Sequence, residues 1–253
     1  MNKPGDGMGR ETAVERLPFQ VRIATRAELE DVVRLRSTAY GRHLPEMGQR
    51  LAQPEAADFE LGCEVFVAVS KLDGSLLGTL RTHANALEPL PLEASLALPE
   101  RFANHRLVEA TRLSIQAGTT ASLVRNALFK AFYQYCVSQH IDWMVLTGRR
   151  PIDRIYDGLL FTDVGETGAY HPMAHIGGVP HRVMSLSVSE ADAIWSKAQH
   201  PLYEFTVKTW HPDIDLSGAR DLSSAWSGEH ATRSSSSVAR RMQALLPLQF
   251  KAA

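Results

Sequence analysis

Cysteine is nearly absent from this chain of 253 residues: Cys63 and Cys136 are the only two. That argues against a disulfide framework and makes a reducing cytoplasm the simplest expected compartment. No apolar run approaches the ~18 residues that a membrane-spanning helix needs. The opening stretch MNKPGDGMGRETAVERLP has no apolar core, so it does not read as a secretory signal. Charge of one sign is not in excess either. A net charge of -1 gives no ground for non-specific nucleic-acid binding. There is no Gly-x-x-x-x-Gly-Lys-Ser/Thr loop and no internal repeat. What remains is 44% hydrophobic and 22% charged residues, the balance of an ordinary soluble domain long enough to bury a core.

Residues 1–18, rich in Gly, Pro and charge, read as a flexible arm. Residues 19–210 read as one domain. FQVRIAT (19–25) alternates like a strand, and Leu29, Val32, Val33, Arg36 and Tyr40 then share one helical face. Strands are expected at 63–70 and 75–84 around Asp73-Gly74, a hairpin signal. A proline-bearing excursion (88–100) precedes a strand at 106–115. A long amphipathic helix (122–140), a strand (141–148), a helix (150–161), a strand (181–189) and a helix (189–199) complete the order. Alternation of this kind predicts a mixed α/β domain with helices outside one sheet. Residues 211–253 read as an extension carrying a Ser-rich linker (231–237) and a short basic amphipathic segment. That last segment is a candidate for carrier-protein docking or peripheral membrane contact.

Charges on apolar faces carry the chemistry. RLVEATRLSI (106–115) is an apolar strand with Glu109 and Arg112 in its middle. Buried charges are expensive unless paired. Strict alternation puts Glu109 on one face with Leu107, Thr111, Leu113 and Ile115, and Arg112 on the other. A β-bulge between them would bring both to one side. Arg36 lies on the buried stripe of the first helix, and Arg81 stands on the neighbouring strand. Three arginines and one carboxylate converging on a cleft would exceed what a register-fixing ion pair requires. The two histidines of HPMAH (171–175) are spaced by four, but Pro172 disfavours the helix that would align them on a metal.

LRSTAYGRHLPE, the acidic EAADFE, GTLRT and VEATRLSI, in that order, resemble the bacterial autoinducer synthases and their relatives, the N-acyl amino acid synthases. The residues that match are Arg36, Tyr40, Asp58, Arg81, Glu109 and Arg112. The resemblance covers roughly residues 20–190 and implies an N-acetyltransferase-like α/β fold, a mixed central sheet flanked by helices. It also implies transfer of a long-chain fatty acyl group from acyl carrier protein to the α-amine of an amino acid. The autoinducer synthases usually carry a Trp after the aromatic position, and GRHLPEM has none, which favours the N-acyl amino acid synthases. QAGTTAS (116–122) departs from the coenzyme A-binding loop of ordinary acetyltransferases. That suits a donor held by a phosphopantetheine arm, with coenzyme A as the alternative, and no permanently bound cofactor.

On this reading Glu109 takes the amine's proton. Arg81 or Arg112 holds the acceptor carboxylate, and backbone N–H groups near Leu113 and Ser114 face the oxyanion. An acyl tunnel is expected between sheet and long helix, lined by Leu113, Leu128, Phe132 and Val145. The acidic carrier would dock near Arg125, Lys130, Arg149, Arg150 and Arg154. Three alternatives stay open: an acyl-homoserine lactone synthase, an acetyl-coenzyme A-dependent small-substrate acetyltransferase, and a non-enzymatic acyl-ligand sensor.

Overall fold

The computed structural model describes residues 14–227. β1 (Phe19–Ile23) leads through a 3-10 turn to α1 (Leu29–Gly41) and α2 (Pro45–Arg50). β2 (Cys63–Ser70) and β3 (Leu76–Ala84) form the expected hairpin, with Gly74 supplying the left-handed residue at φ 73°. After 3-10 turns at Pro91–Ala94 and Glu100–Phe102 come β4 (Leu107–Ile115), α3 (Ala121–Ser138) and β5 (Trp143–Gly148). α4 (Asp153–Gly158), β6 (Thr162–Asp163), β7 (His171–Met173), β8 (Val179–Ser187), α5 (Ala191–Lys197), β9 (Ile214–Asp215) and α6 (Ser223–Ser227) follow. The helix expected over 150–161 is therefore only the six residues of α4. α2 and the three short strands β6, β7 and β9 were not legible in the spacing.

The strands form one mixed sheet in the order β6-β8-β5-β4-β3-β2-β1-β9, with β7 paired to β8 off this path. β4 pairs β5 in parallel, which requires a crossover, and α3 supplies it. Residues that alternate along the strands divide between two faces. Phe66, Leu80, Val108, Met144 and Met184 bury against α3 through Leu128, Phe132 and Tyr135. On the opposite face Leu107, Val145 and Val183 pack under Leu90 and Leu92 of the excursion, Phe102 of the 3-10 turn that follows it, and Met47 and Leu51 from the α2 region. α1 covers that same side further along, with Leu29 and Val32 on Val65 and Val67.

At the ends of the chain, residues 14–18 lie against the sheet domain. Val14 bridges Trp210, and the Leu17 N–H donates to Asp213 at 2.8 Å. Beyond 210, β9 pairs with β1 and Leu222 is buried, so the described part of the expected extension packs on the domain. The rest of the arm, the Ser-rich linker and the basic amphipathic segment lie outside the described residues.

Candidate active site

The expected bulge is present in β4. Arg81 stands opposite Thr111 and Thr79 opposite Ser114, so β4 carries one extra residue, and Arg112 takes it up at φ 54°. A non-glycine residue in the left-handed region is strained by roughly 1–2 kcal/mol. The gain is directional: Thr111 and Arg112 face the same side of the sheet as Glu109. The same insertion sends Leu113 and Ile115 to the α3 face, where they join the larger core. That corrects the alternation, which placed them beside Glu109.

Glu109 and Arg112 share a face but are not an ion pair. Arg112 is bound by Glu55: Nε donates to Oε2 and Nη2 to Oε1, each at 2.7 Å. Its Nη2 also donates to the carbonyl of His175 at 3.2 Å, and the Tyr40 side chain stands beside the guanidinium. Arg81 Nη1 lies 3.0 Å from both Glu55 Oε2 and Asp58 Oδ1, and Arg36 Nη1 donates to the same Asp58 oxygen at 2.7 Å. Burial pushes the Asp58 acid up, but the Arg36 and Arg81 charges outweigh it and hold it below the usual carboxylate range. In Glu55 burial is likewise outweighed, by the Arg112 hydrogen bond and the Arg81 and Arg112 charges, and the acid sits at about 2. The result is a buried chain of three arginines and two carboxylates. Arg81 Nε also donates to His83 Nε2 at 3.0 Å, so that ring is neutral and turns its Nδ1–H toward Cys63 Sγ. Burial and the Arg81 and Arg112 charges push its pKa down to about 2.

Glu109 stands apart from this chain and is fully buried. Its Oε2 accepts the Leu92 N–H at 2.9 Å, and its Oε1 has no hydrogen-bond partner. Burial, only partly offset by the Leu92 N–H and the Arg112 charge, pushes the acid up to about 8.

A cleft of about 280 Å³ opens beside these groups. Its cause is visible in the register. β4 and β5 pair only from Leu107–Trp143 to Ala110–Leu146, and the strands then part at the bulge. The gap is lined by Ala110–Ile115 of β4 and Thr147–Arg149 of and after β5. Tyr40 and His43 from the α1 end, Arg125 and Phe129 from α3, and Tyr156 from α4 close its sides, with His175 and His181 beside them. Four of the expected site residues therefore line the cleft: Tyr40, Arg112, Leu113 and Ser114. Arg36, Asp58 and Arg81 do not; they stand behind Arg112. Glu109 does not line it either, but His175 does, and His175 Nε2 is 3.8 Å from Glu109 Oε1.

The expected tunnel lining needs correction. Leu128 and Phe132 are packed solid in the core against α3's own face of the sheet, and Val145 lies on the opposite face. The apolar walls are instead Leu113, Ile115, Phe129, Ile152, Ile155 and Tyr156. Lys130 is no docking residue: it is buried, and its Nζ donates to the carbonyls of Phe205 (2.7 Å) and Thr209. Arg150 and Arg154 are exposed, while Arg125 and Arg149 are half-buried at the cleft. Sequence reasoning missed Glu55 and His175. Glu55 opens the acidic stretch from which only Asp58 was chosen, and His175 was weighed only as a metal ligand.

With this geometry in place the chain can be compared with others. The model of the family described as N-acyl amino acid synthase FeeM matches residues 31–183. Among solved structures, FeeM from uncultured soil microbes has 19% identity and a TM-score of 0.56, over 74% of this chain and 96% of that one. BjaI, a CoA-dependent acyl-homoserine lactone synthase, has 13% identity and a TM-score of 0.53, over 78% and 95%. The acyl-homoserine lactone synthase LasI has 14% identity and a TM-score of 0.50, over 68% and 93%. Likeness at these identities is likeness of fold, and the N-acetyltransferase-like class expected from the sequence is the one observed. No curated protein matches the chain.

Proposed function

We propose that this chain, which belongs to the FeeM family of N-acyl amino acid synthases, moves a fatty acyl group from the phosphopantetheine arm of acyl carrier protein to the α-amine of an amino acid. The observation that carries this reading is the cleft at the β4–β5 splay. Its lining joins apolar walls to Arg112, Arg125, Arg149 and three histidines, and it includes no Asp or Glu. Apolar walls suit an acyl chain. A cationic lining suits the two anions of the reaction, the acceptor's carboxylate and the donor's phosphate.

Arg112 is the candidate clamp for the acceptor carboxylate, since it lines the cleft with Tyr40 beside its guanidinium and Glu55 fixes its Nε and Nη2. Arg36, Asp58 and Arg81 hold Glu55 and so position Arg112 without touching substrate. The neutral amine attacks the thioester carbonyl carbon, the C–N bond forms, and the tetrahedral oxyanion collapses with cleavage of C–S. The amine proton ends on the departing sulfur. Backbone near Leu113 and Ser114, at the bulge, is the candidate oxyanion site. The carrier would meet the exposed Arg150 and Arg154 outside the cleft. A cytoplasmic enzyme acting on soluble carrier fits this scheme. The resemblance of fold to BjaI, a CoA-dependent enzyme, keeps coenzyme A as the second donor.

The test is a side-by-side assay of dodecanoyl-acyl carrier protein, dodecanoyl-coenzyme A and acetyl-coenzyme A against a pool of the twenty amino acids, read by mass spectrometry. N-dodecanoyl amino acid formed fastest from the carrier protein is the expected result. Equal or better use of acetyl-coenzyme A would move the assignment to a small-substrate acetyltransferase. An acyl-homoserine lactone formed when S-adenosylmethionine is added would move it to a lactone synthase.

A further inference from the structure

We propose that His175 is the base that takes the proton from the acceptor amine, with Glu109 behind it as the positioning residue. The inference rests on the acyl-transfer reading above and changes which residue meets the substrate. Glu109 is out of reach, since it is fully buried and absent from the cleft lining. His175 lines the cleft, and its side chain is 12% exposed.

Both ring nitrogens of His175 and the Oε1 of Glu109 lack hydrogen-bond partners. Buried polar atoms left unpaired are rare in folded proteins and call for an explanation. Of these, Nε2 and Oε1 face each other 3.8 Å apart, and Nδ1 is the ring nitrogen left over for the cleft. A ring movement of about 1 Å brings them to hydrogen-bond distance. The surroundings hold both groups for that contact. Glu109 is anchored through Oε2 by the Leu92 N–H. The peptide of His175 is anchored by Arg112 Nη2 and sits in a 3-10 turn (Ala174–Ile176) that ends at Gly177 in the left-handed conformation.

The step balances within the pair. Ionised Glu109 accepts the Nε2–H, which leaves a lone pair on Nδ1. Nδ1 takes the amine proton as the C–N bond forms, and His175⁺ is stabilised by the carboxylate. When C–S breaks, the proton passes from Nδ1 to the thiolate, giving thiol and amide and restoring neutral His175. Burial, then the charges of Arg112, His181 and Arg81, push the imidazole down to about 4, so it enters the cycle unprotonated. Glu55 is the acid that opposes them. Glu109 faces Arg112 and Arg81, which favour its ionised form, and Glu93, which disfavours it. Its ionisation at about 8 is the switch that completes the pair.

The experiment uses the full chain with dodecanoyl-acyl carrier protein and the twenty-amino-acid pool. It measures kcat and KM against pH for wild type, His175→Gln, His175→Ala and Glu109→Gln. We expect His175→Gln to lose about 10²-fold or more in kcat with KM moved little. Added imidazole should restore part of the His175→Ala turnover. Wild-type kcat should climb with pH toward about 8, and Glu109→Gln should lose that climb. Wild-type turnover in His175→Gln, or a pH profile unchanged in Glu109→Gln, overturns the pair and leaves acyl transfer standing. Absence of any N-acyl product from wild type overturns the acyl-transfer reading instead. The ¹⁵N shifts of the His175 ring then decide the pair without substrate. An Nε2–H hydrogen bond present in wild type and lost in Glu109→Gln supports it; its absence from wild type removes it.

Discussion

Replacing Glu109 by Gln should stabilise the protein, by an amount that grows with pH. An acid lifted from 4.5 to about 8 by burial makes the folded state hold a proton that the unfolded chain releases. Stability from this group is therefore complete below about pH 4.5 and is lost as pH rises through about 8. At about 1.4 kcal/mol for each tenfold change, the full loss is about 5 kcal/mol, of which about 3 kcal/mol is already incurred at pH 7. Gln keeps the shape and an acceptor for the Leu92 N–H, and it cannot ionise. The assay is urea unfolding of both proteins at several pH values, taken as a difference so that every other titrating group cancels. At pH 5 the two should lie within about 1 kcal/mol of each other, and by pH 9 the variant should lead by about 5 kcal/mol. Against a typical total of 5–15 kcal/mol that is easily read. A difference that stays flat across this range would show that Glu109 titrates like a solvated carboxyl, and the burial argument would fail with it.

Asp58→Asn removes the charge shared by Arg36 and Arg81 and leaves Arg36 buried without a counter-ion. It should cost about 3–5 kcal/mol in urea unfolding, and a loss under about 1 kcal/mol would show the network to be energetically idle. Gly78→Ala puts a Cβ 2.6 Å from Val124 Cγ1 and 3.0 Å from Ile115 Cδ1, where α3 crosses β3. A melting temperature lowered in line with about 1–3 kcal/mol is expected, and an unchanged one would contradict the close approach of helix and strand.

The frame of the fold was legible because period 2 and period 3.6 survive in the apolar residues of β2, β3, β4, α1 and α3. Even the bulge could be read, since two charges in one apolar strand demand a common face. Its consequence could not. One inserted residue turns every later side chain over, so Leu113 and Ile115 moved to the α3 face. The tunnel expected along the helix stripe failed for a separate reason: Leu128 and Phe132 fill the core, and Val145 points to the opposite face. Glu55 was hidden for a different reason: its partner Arg112 is 57 residues away, and no local pattern marks which acid of an acidic loop turns inward. Lys130 read as a surface cation because the segment that buries it, Glu204–Lys208, is a π-helix with no periodic signature. His175 was set aside with the metal reading of HPMAH, since its approach to Glu109 of β4 runs through loops, where the Ala174 N–H donates to Ser95 Oγ of the excursion. The residues of β4 show that a strand's register is a local property, whereas the partners of a buried charge belong to the tertiary fold.

Chain-length selection should follow the walls of the cleft and can be moved by one residue. Phe129 and Tyr156 are buried and meet edge to face at 5.8 Å, whereas His43 is exposed. The aromatic pair therefore forms the inner wall and His43 the rim. Each methylene taken from water is worth about 0.8 kcal/mol, close to fourfold in kcat/KM. For wild type, kcat/KM should climb by about that factor per methylene along a donor series and level off where the chain reaches Phe129. Phe129→Ala removes the ring from the wall, so the climb should continue to longer chains before it levels. The truncation also costs about 3–5 kcal/mol of stability, so Phe129→Leu, which opens less space at lower cost, serves as the second variant and should fall between the two. The measurement is kcat/KM for straight-chain acyl donors of increasing length with all three proteins. A plateau at one and the same length in all of them would place the acyl chain elsewhere than the β4–β5 splay.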